Sequence, residues 1–393
     1  MKKGLLAIAG LLVLGTSVEV FAKEIQVGGQ VRPRMEYLNP SGGGYDVWTS
    51  MRVRAQVKAV LDKDVDVFVQ VQDVRIWGEE TNTLNDYRAD NFDLHQGYVT
   101  LNKIRGSGVS IRVGRQEISL GGQRLVGAVD WTQQARSMDG VRATLSPAWG
   151  SVDVLGIRLL DTSAAGIGSN AYFGGVYATA KASGGTLDGY GLYNRASGGA
   201  KTNQYTLGAR WVGKARSVVY RIEGAYQLGK RGGSDVSAFL FGGRAGIPIG
   251  KSTVTLWYDY LSGDDNATDG KVKVFDTLFA TNHKFYGYAD VFLNIPVHTG
   301  NLGLQDVALK FSIPLREGVK LDVDGHAFFL AKKGRASGKH LGEEVDVTLS
   351  YKYSNEVMVV CGASYVAAKQ ALADIGRLKK DLKFAYAMMN VAF

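Results

Sequence analysis

Leu382-Lys383-Phe384-Ala385-Tyr386-Ala387-Met388-Met389-Asn390-Val391-Ala392-Phe393 ends the chain, and its reading decides the fold. Counting back from Phe393, every second residue is apolar: Val391, Met389, Ala387 and Ala385. Asn390 and Tyr386 fall on the opposite face, and the apolar row runs out at Lys383. Strand side chains alternate between faces. This segment therefore reads as a strand with one apolar face running to a terminal aromatic residue. Any half-buried terminal strand alternates, so the rest of the chain has to agree.

The N-terminus agrees with an exported chain. Met1-Lys2-Lys3 is a charged start, residues 4–15 are an apolar run, and Val20-Phe21-Ala22 offers β-branched and small residues where a signal peptidase cuts. This is the pattern of a secretory signal peptide over 1–22, with 23–393 as the exported chain. The apolar run is shorter than the roughly 20 residues a membrane-spanning helix needs. The single cysteine, Cys361, excludes an internal disulfide. Its same-face neighbours Val357, Val359 and Ala363 give it an apolar surrounding.

The same alternation recurs along the chain. Ile25, Val27, Val31, Met35 and Tyr37 oppose Gln26, Gln30, Arg32, Arg34 and Glu36. Met51, Val53, Ala55, Val57 and Ala59 oppose Arg52, Arg54, Gln56 and Lys58. Val109, Ile111 and Val113 oppose Ser110 and Arg112, and Val345 to Tyr353 repeats the pattern near the end. A soluble β-sandwich also alternates. Here, however, the segments run to the roughly ten residues that a tilted membrane-crossing strand requires. Short turns (61–64, 147–150, 213–217, 314–318, 353–356) also alternate with long connections (77–91, 115–136, 261–303, 367–380). Short turns at one end and long loops at the other are the pattern of an outer-membrane barrel. The expected fold is an all-β transmembrane antiparallel barrel of about 18 strands. High Gly (51) and Tyr (19) with low Pro (6) suit it. Its terminal strand, ending at Phe393, is expected to be read by the barrel assembly machinery.

The outside of such a barrel is lipid, so the polar rows face the lumen. Parity puts Arg32, Arg34, Arg52, Arg54, Lys58, Arg112, Arg142, Arg210, Arg221, Arg244, Lys310 and Lys352 there. Acidic residues share the face: Glu36, Asp66, Glu223, Asp259, Asp322, Asp324 and Asp346. A charge at the bilayer midplane costs about 2–4 kcal/mol, which keeps these rows inside. The net charge of +9 then points to anionic solutes, because rings of Arg and Lys select anions. The competing reading is that the arginines only neutralise neighbouring carboxylates. Nucleic-acid binding is excluded, since it needs the basic residues on an outer surface.

The stretch from Gly114-Arg115-Gln116-Glu117-Ile118 through Gly121-Gly122-Gln123-Arg124, Asp130-Trp131 and Asp139-Gly140-Val141-Arg142 resembles the alginate export family of outer-membrane porins. So do Ser262-Gly263-Asp264-Asp265, Phe275-Asp276 and Thr281-Asn282-His283-Lys284-Phe285-Tyr286-Gly287-Tyr288. The resemblance implies an 18-stranded monomeric barrel with a narrow arginine-lined conduit for an anionic solute or polysaccharide, a uronate chain in the namesake member. It implies Arg115, Arg124 and Arg142 at a constriction, oriented by Glu117, Asp130 and Asp139. Parity leaves Arg34, Arg52, Arg54, Arg112, Arg210, Arg221 and Arg244 to line the rest. The loop after Gly114 is expected to fold into the lumen. A general small-solute porin without anion preference is the alternative.

Other chemistry finds little support. The five histidines show no zinc spacing, and there is no Gly-x-Ser-x-Gly elbow. Gly246 to Ser252 is one residue short of a P-loop and falls at an expected turn. An outer-membrane hydrolase would have only His326 beside Asp324 as a candidate pair. Asp264, Asp265, Asn266 and Asp269 lack the closing Glu of an EF-hand loop, because Phe275 stands in its place. No catalytic residue, metal or cofactor is expected.

Overall fold

The computed structural model describes residues 22–40, 43–79, 92–161, 170–198 and 201–393. Most of the expected signal peptide (1–21) and most of the expected 77–91 connection lie outside these residues. The strands are β1 (Glu24–Pro40), β2 (Asp46–Asp62), β3 (Val65–Ile76), β4 (Phe92–Leu101), β5 (Val109–Gln116), β6 (Met138–Leu145), β7 (Gly150–Asp161), β8 (Asn170–Ala182) and β9 (Gly185–Ala196). They continue with β10 (Thr202–Ala215), β11 (Val218–Arg231), β12 (Ser234–Ile249), β13 (Ser252–Leu261), β14 (Lys271–Val272), β15 (Leu304–Arg316), β16 (Val319–Phe329), β17 (His340–Lys352), β18 (Val357–Ala368) and β19 (Leu382–Ala392).

Every strand except β14 pairs antiparallel with its chain neighbours, β13 pairs across to β15, and β1 pairs with β19. β14 is a two-residue stub on β12 and stands outside the wall. The wall is therefore a closed barrel of 18 strands. The terminal strand closes it as its alternation requires. Phe393 N–H donates to Gly29 O (3.1 Å), and Gly29 N–H donates to Phe393 O (2.8 Å).

Burial confirms which face is which. Val27 is 70% exposed while Arg52 is 0% exposed, an inversion of the usual soluble order. The apolar rows face out, and the charged rows face in. Connections 63–64, 183–184, 216–217, 250–251 and 317–318 make one end the turn end. The connections after β5 (117–137) and after β13 (262–303) stand at the other, loop end.

Both long loops fold into the lumen and meet there. Val126 bridges Phe279, Gly127 N–H donates to Phe279 O (2.9 Å), and Thr281 N–H donates to Gln123 O (3.0 Å). Ile118, Leu125, Phe275, Phe285 and Phe292 of these loops pack against the inward Phe173, Leu192, Leu240, Leu304 and Phe328. The loop-end half of the lumen thus has its own hydrophobic core. A Cβ on Gly121 (φ +51°) would meet Tyr177 Oη at 2.0 Å, and one on Gly287 (φ +80°) would meet the Glu344 carboxylate at 2.4 Å. Glycine at these two points lets the loop backbones reach the wall.

Candidate functional site

Arg32, Arg34 and Arg52 are buried on neighbouring strands and aim at one segment of the β5–β6 loop. Arg32 donates to Asp130 O (2.8 Å), Thr132 O (2.9 Å) and Gln133 Oε1 (3.0 Å). Arg34 donates to Trp131 O (2.6 Å), lies 4.2 Å above the Trp131 ring and pairs with Glu36 (2.9 Å). Arg52 donates to Gln133 O (3.2 Å) and Asp130 Oδ1 (2.9 Å). These guanidiniums clamp the loop to the wall. Arg54 extends the clamp through Glu117 (3.4 Å), His95 (2.9 Å) and Gln72 (2.8 Å).

Across the lumen, Arg124 anchors the loop's other side. It pairs with Asp259 (2.6 Å) and Glu223 (3.3 Å), donates to Tyr286 Oη (3.1 Å) and is 1% exposed. Burial alone would lower its pKa, but Asp259, Tyr286 and Glu223 outweigh that and raise it. The β13–β15 loop is tied down by acids. Tyr288 N–H donates to Asp346 Oδ2 (3.3 Å), and Ala289 N–H donates to Glu344 Oε1 (2.8 Å).

Two cavities flank the joined loops. One, of about 460 Å³, opens towards the loop end between Arg34, Glu36, Trp48, Trp131, Gln134 and Asp290. The other, of about 330 Å³, lies towards the turn end against Arg221, Arg244, Lys284, Trp257, Phe285 and Tyr288. Trp131, His283 and Tyr288 stack in sequence between them, with centroids 4.1 and 5.0 Å apart. In the second cavity Arg221 and Arg244 lie 5.0 and 5.2 Å from the Trp257 ring. Among the described residues neither arginine, nor Lys284, has a carboxylate at ion-pair distance. Burial lowers the Lys284 pKa, and Arg244 and Arg221 lower it further, as expected where three cations converge. Lys310 pairs with Asp324 (2.7 Å), and Lys320 with Asp322 (2.8 Å), on the same cavity wall.

The expected site residues divide accordingly. Arg34, Arg52, Arg54 and Arg124 are inward but engaged in holding loops. Arg142 is inward and paired with Asp153 (2.8 Å), away from Asp139. Arg210 pairs with Asp188, and Arg112 lies 4.2 Å from the Tyr98 ring. Glu117 and Asp130 do orient arginines, but those of β1 and β2. Among the described residues Arg112, Arg221 and Arg244 combine inward placement with no carboxylate partner, and Arg221 and Arg244 face one cavity together. Lys284 and Trp257 were missed. Trp257 shares parity with Asp259, which would have revealed it, whereas Lys284 sits in a loop with no periodicity to read.

Arg115 and Asp139 require correction. They pair with each other (2.9 Å), but Arg115 has the parity of outward Val113, and Asp139 that of outward Val141. Directly opposed strand residues share a face, and the row Val57, Val69, Gly97, Arg115, Asp139 is continuous. The pair therefore lies on the barrel's outer surface. Arg115→Gln is expected to leave ion selectivity unchanged, and a reversal potential shifted towards cations would return Arg115 to the lumen.

The hydrolase pair is also not formed. His326 Nδ1 bonds Asp306 (2.9 Å), both side chains are 0% exposed, and Asp324 is held by Lys310. Asp264 accepts the Asn266 (3.0 Å) and Lys273 (3.2 Å) amides, so the acidic loop is organised by its own backbone.

Solved structures share the architecture. OpdO of Pseudomonas aeruginosa aligns with a TM-score of 0.67 at 12% identity, over 95% of this chain and 98% of that one. OccK2 (OpdF) of the same organism, solved in complex with glucuronate, aligns at 0.63 with 11% identity over 95% and 99%. OpdK with vanillate, also from P. aeruginosa, aligns at 0.62 with 12% identity over 94% and 98%. No curated protein sequence matches the chain. The model of the alginate export family matches residues 23–377. With an 18-stranded barrel whose outside is apolar and whose lumen is charged, this is an outer-membrane channel protein. The chain belongs to the alginate export family.

Proposed function

We propose that the channel favours small anionic solutes that carry a carboxylate on a ring, uronates foremost. The observation that supports this is the convergence of Arg221, Arg244 and Lys284, without acidic partners, on a cavity of about 330 Å³ faced by Trp257, Phe285 and Tyr288. Guanidiniums hold a carboxylate through a two-pronged hydrogen-bond pair, and the aromatic faces suit the ring behind it. Glucuronate and vanillate, the molecules bound in two of the structures of similar fold, share that chemistry. The protein is read as a passive monomeric conduit without catalytic function. Its signal is cleaved after Ala22, and its Phe393 strand is recognised during assembly.

The test is the reversal potential of single channels in a planar bilayer under a KCl gradient, with glucuronate added afterwards. The wild type is expected to be anion-selective and partly blocked by glucuronate. Replacing Arg221, Arg244 and Lys284 by Gln is expected to abolish both properties while conductance persists. A wild-type channel that is unselective and unblocked would leave the general small-solute porin as the reading.

A further inference from the structure

The outward surface carries a second charged row that the channel does not use. Following direct cross-strand partners from β5 to β12, it reads Arg115, Asp139, Arg158, Tyr172, Arg195, Asn203, Lys230, Asp235. All of these sit at the loop ends of their strands. Arg195, Asn203, Lys230 and Asp235 lie on adjacent strands, where direct neighbours are about 5 Å apart. One residue pair nearer the turn end on the same face stand Tyr193 and Tyr205, their rings in tilted contact with centroids 4.9 Å apart. Tyr205 and Tyr226 are about half exposed to the surroundings of the barrel.

Height follows from this order. Outward tyrosines mark the edge of the hydrocarbon. The charged row above them is at the level of lipid headgroups, where an outward charge costs only about 0–1 kcal/mol. The row is partly self-neutralised. Arg115 pairs with Asp139, Arg158 with Asp161, and Lys230 with Asp235 (2.8 Å). Arg195 has no acidic partner among the described residues. In sequence, the connections that join β7 to β8 (162–169) and β9 to β10 (197–201) contain no Asp or Glu. Lys201 adds a further exposed cation beside it.

We infer that this row is a binding site for the phosphates of lipid A, the acylated phospho-disaccharide of the outer leaflet. Arg195 would grip a phosphate, Asn203 would donate to it, and the tyrosines below would lie against the acyl chains. The uncompensated guanidinium is the reason. A lone outward arginine is best satisfied by a dianionic phosphate, which accepts several of its N–H groups at once. A zwitterionic headgroup brings its own cation and offers less.

The experiment uses the full-length protein in mild detergent with added Kdo2-lipid A, and native mass spectrometry counts bound lipid. The expected result is stoichiometric retention of Kdo2-lipid A, and roughly tenfold weaker retention by the Arg195→Gln variant. Heat-modifiable gel migration confirms that the variant is folded. A second arm, on the wild type, offers dephosphorylated lipid A and phosphatidylglycerol and is expected to find weak retention of both. Equal retention by the variant, or of either control lipid, overturns the site. Because these residues face away from the lumen, single-channel conductance and selectivity of the variant are expected to match the wild type. The outcome is thus separate from that of the anion-channel reading.

Discussion

Replacing Arg32 and Arg52 together by Gln is expected to give a larger and noisier channel. These residues supply four of the hydrogen bonds that hold Asp130 to Gln133 against the wall: Arg32 to Asp130 O and Thr132 O, and Arg52 to Gln133 O and Asp130 Oδ1. Each charge-assisted bond contributes about 1.5–3 kcal/mol. The segment they hold is short, and Arg34 to Trp131 O would be the main remaining tie from β1. Losing the clamp frees Trp131 from its stack with His283, where the two cavities meet. Single-channel recording is expected to show higher mean conductance with frequent transitions between levels. Replacement by Lys is expected to rescue it only in part, because a point ammonium cannot reproduce the fork. Conductance and noise equal to wild type would show that these arginines are spectators and that the loop is held elsewhere.

Arg124→Met is expected to be the most destabilising single change in the lumen. Arg124 lies between two carboxylates, Asp259 at 2.6 Å and Glu223 at 3.3 Å, all of them buried. Removing one partner of a buried ion pair costs about 3–5 kcal/mol, since the remaining charge keeps its desolvation penalty. The Phe285 ring, 4.3 Å from the guanidinium, would lose its cation as well. The damage is expected to be local, because the 18 strands do not depend on the lumen core for their hydrogen bonds. Limited proteolysis of intact outer membranes is therefore expected to cut the β5–β6 loop of the variant but not of the wild type. Adding Asp259→Asn is expected to restore protection in part, by removing the orphaned charge. A fully protected single variant would mean that the apolar packing of Ile118, Leu125 and Val126 suffices to hold the loop.

Both predictions concern arginines expected to line the lumen, Arg32 and Arg52 by parity and Arg124 by the family resemblance. Parity states the face on which a side chain lies, and it did so correctly for Arg34, Arg52, Arg54, Arg142, Arg210, Arg221 and Arg244. It does not state what the side chain meets there. A lumen arginine can face water, a carboxylate or a loop carbonyl, and all three look alike in the sequence. Arg115 is the opposite case. Its alternation with Val113 already placed it outside, and the resemblance of the surrounding motif pointed the other way. A motif borrowed from relatives marks a segment, whereas facing is set residue by residue.

Alternation by itself determined the barrel, because the period of two must match lipid on one side at every crossing. It also determined the ends, because turns short enough to follow β2 or β8 cannot reach far from the wall. Tertiary structure alone decided how the lumen is used. The inward Phe173, Leu192, Leu240 and Phe328 break the polar row near the loop end, and only contact with the loops shows why. Those loops have no periodicity, so the positions of Trp131, His283 and Lys284 follow from contacts between residues more than a hundred positions apart. Which cations remain free for a solute is what is left after every such contact has formed, and no local pattern carries that remainder.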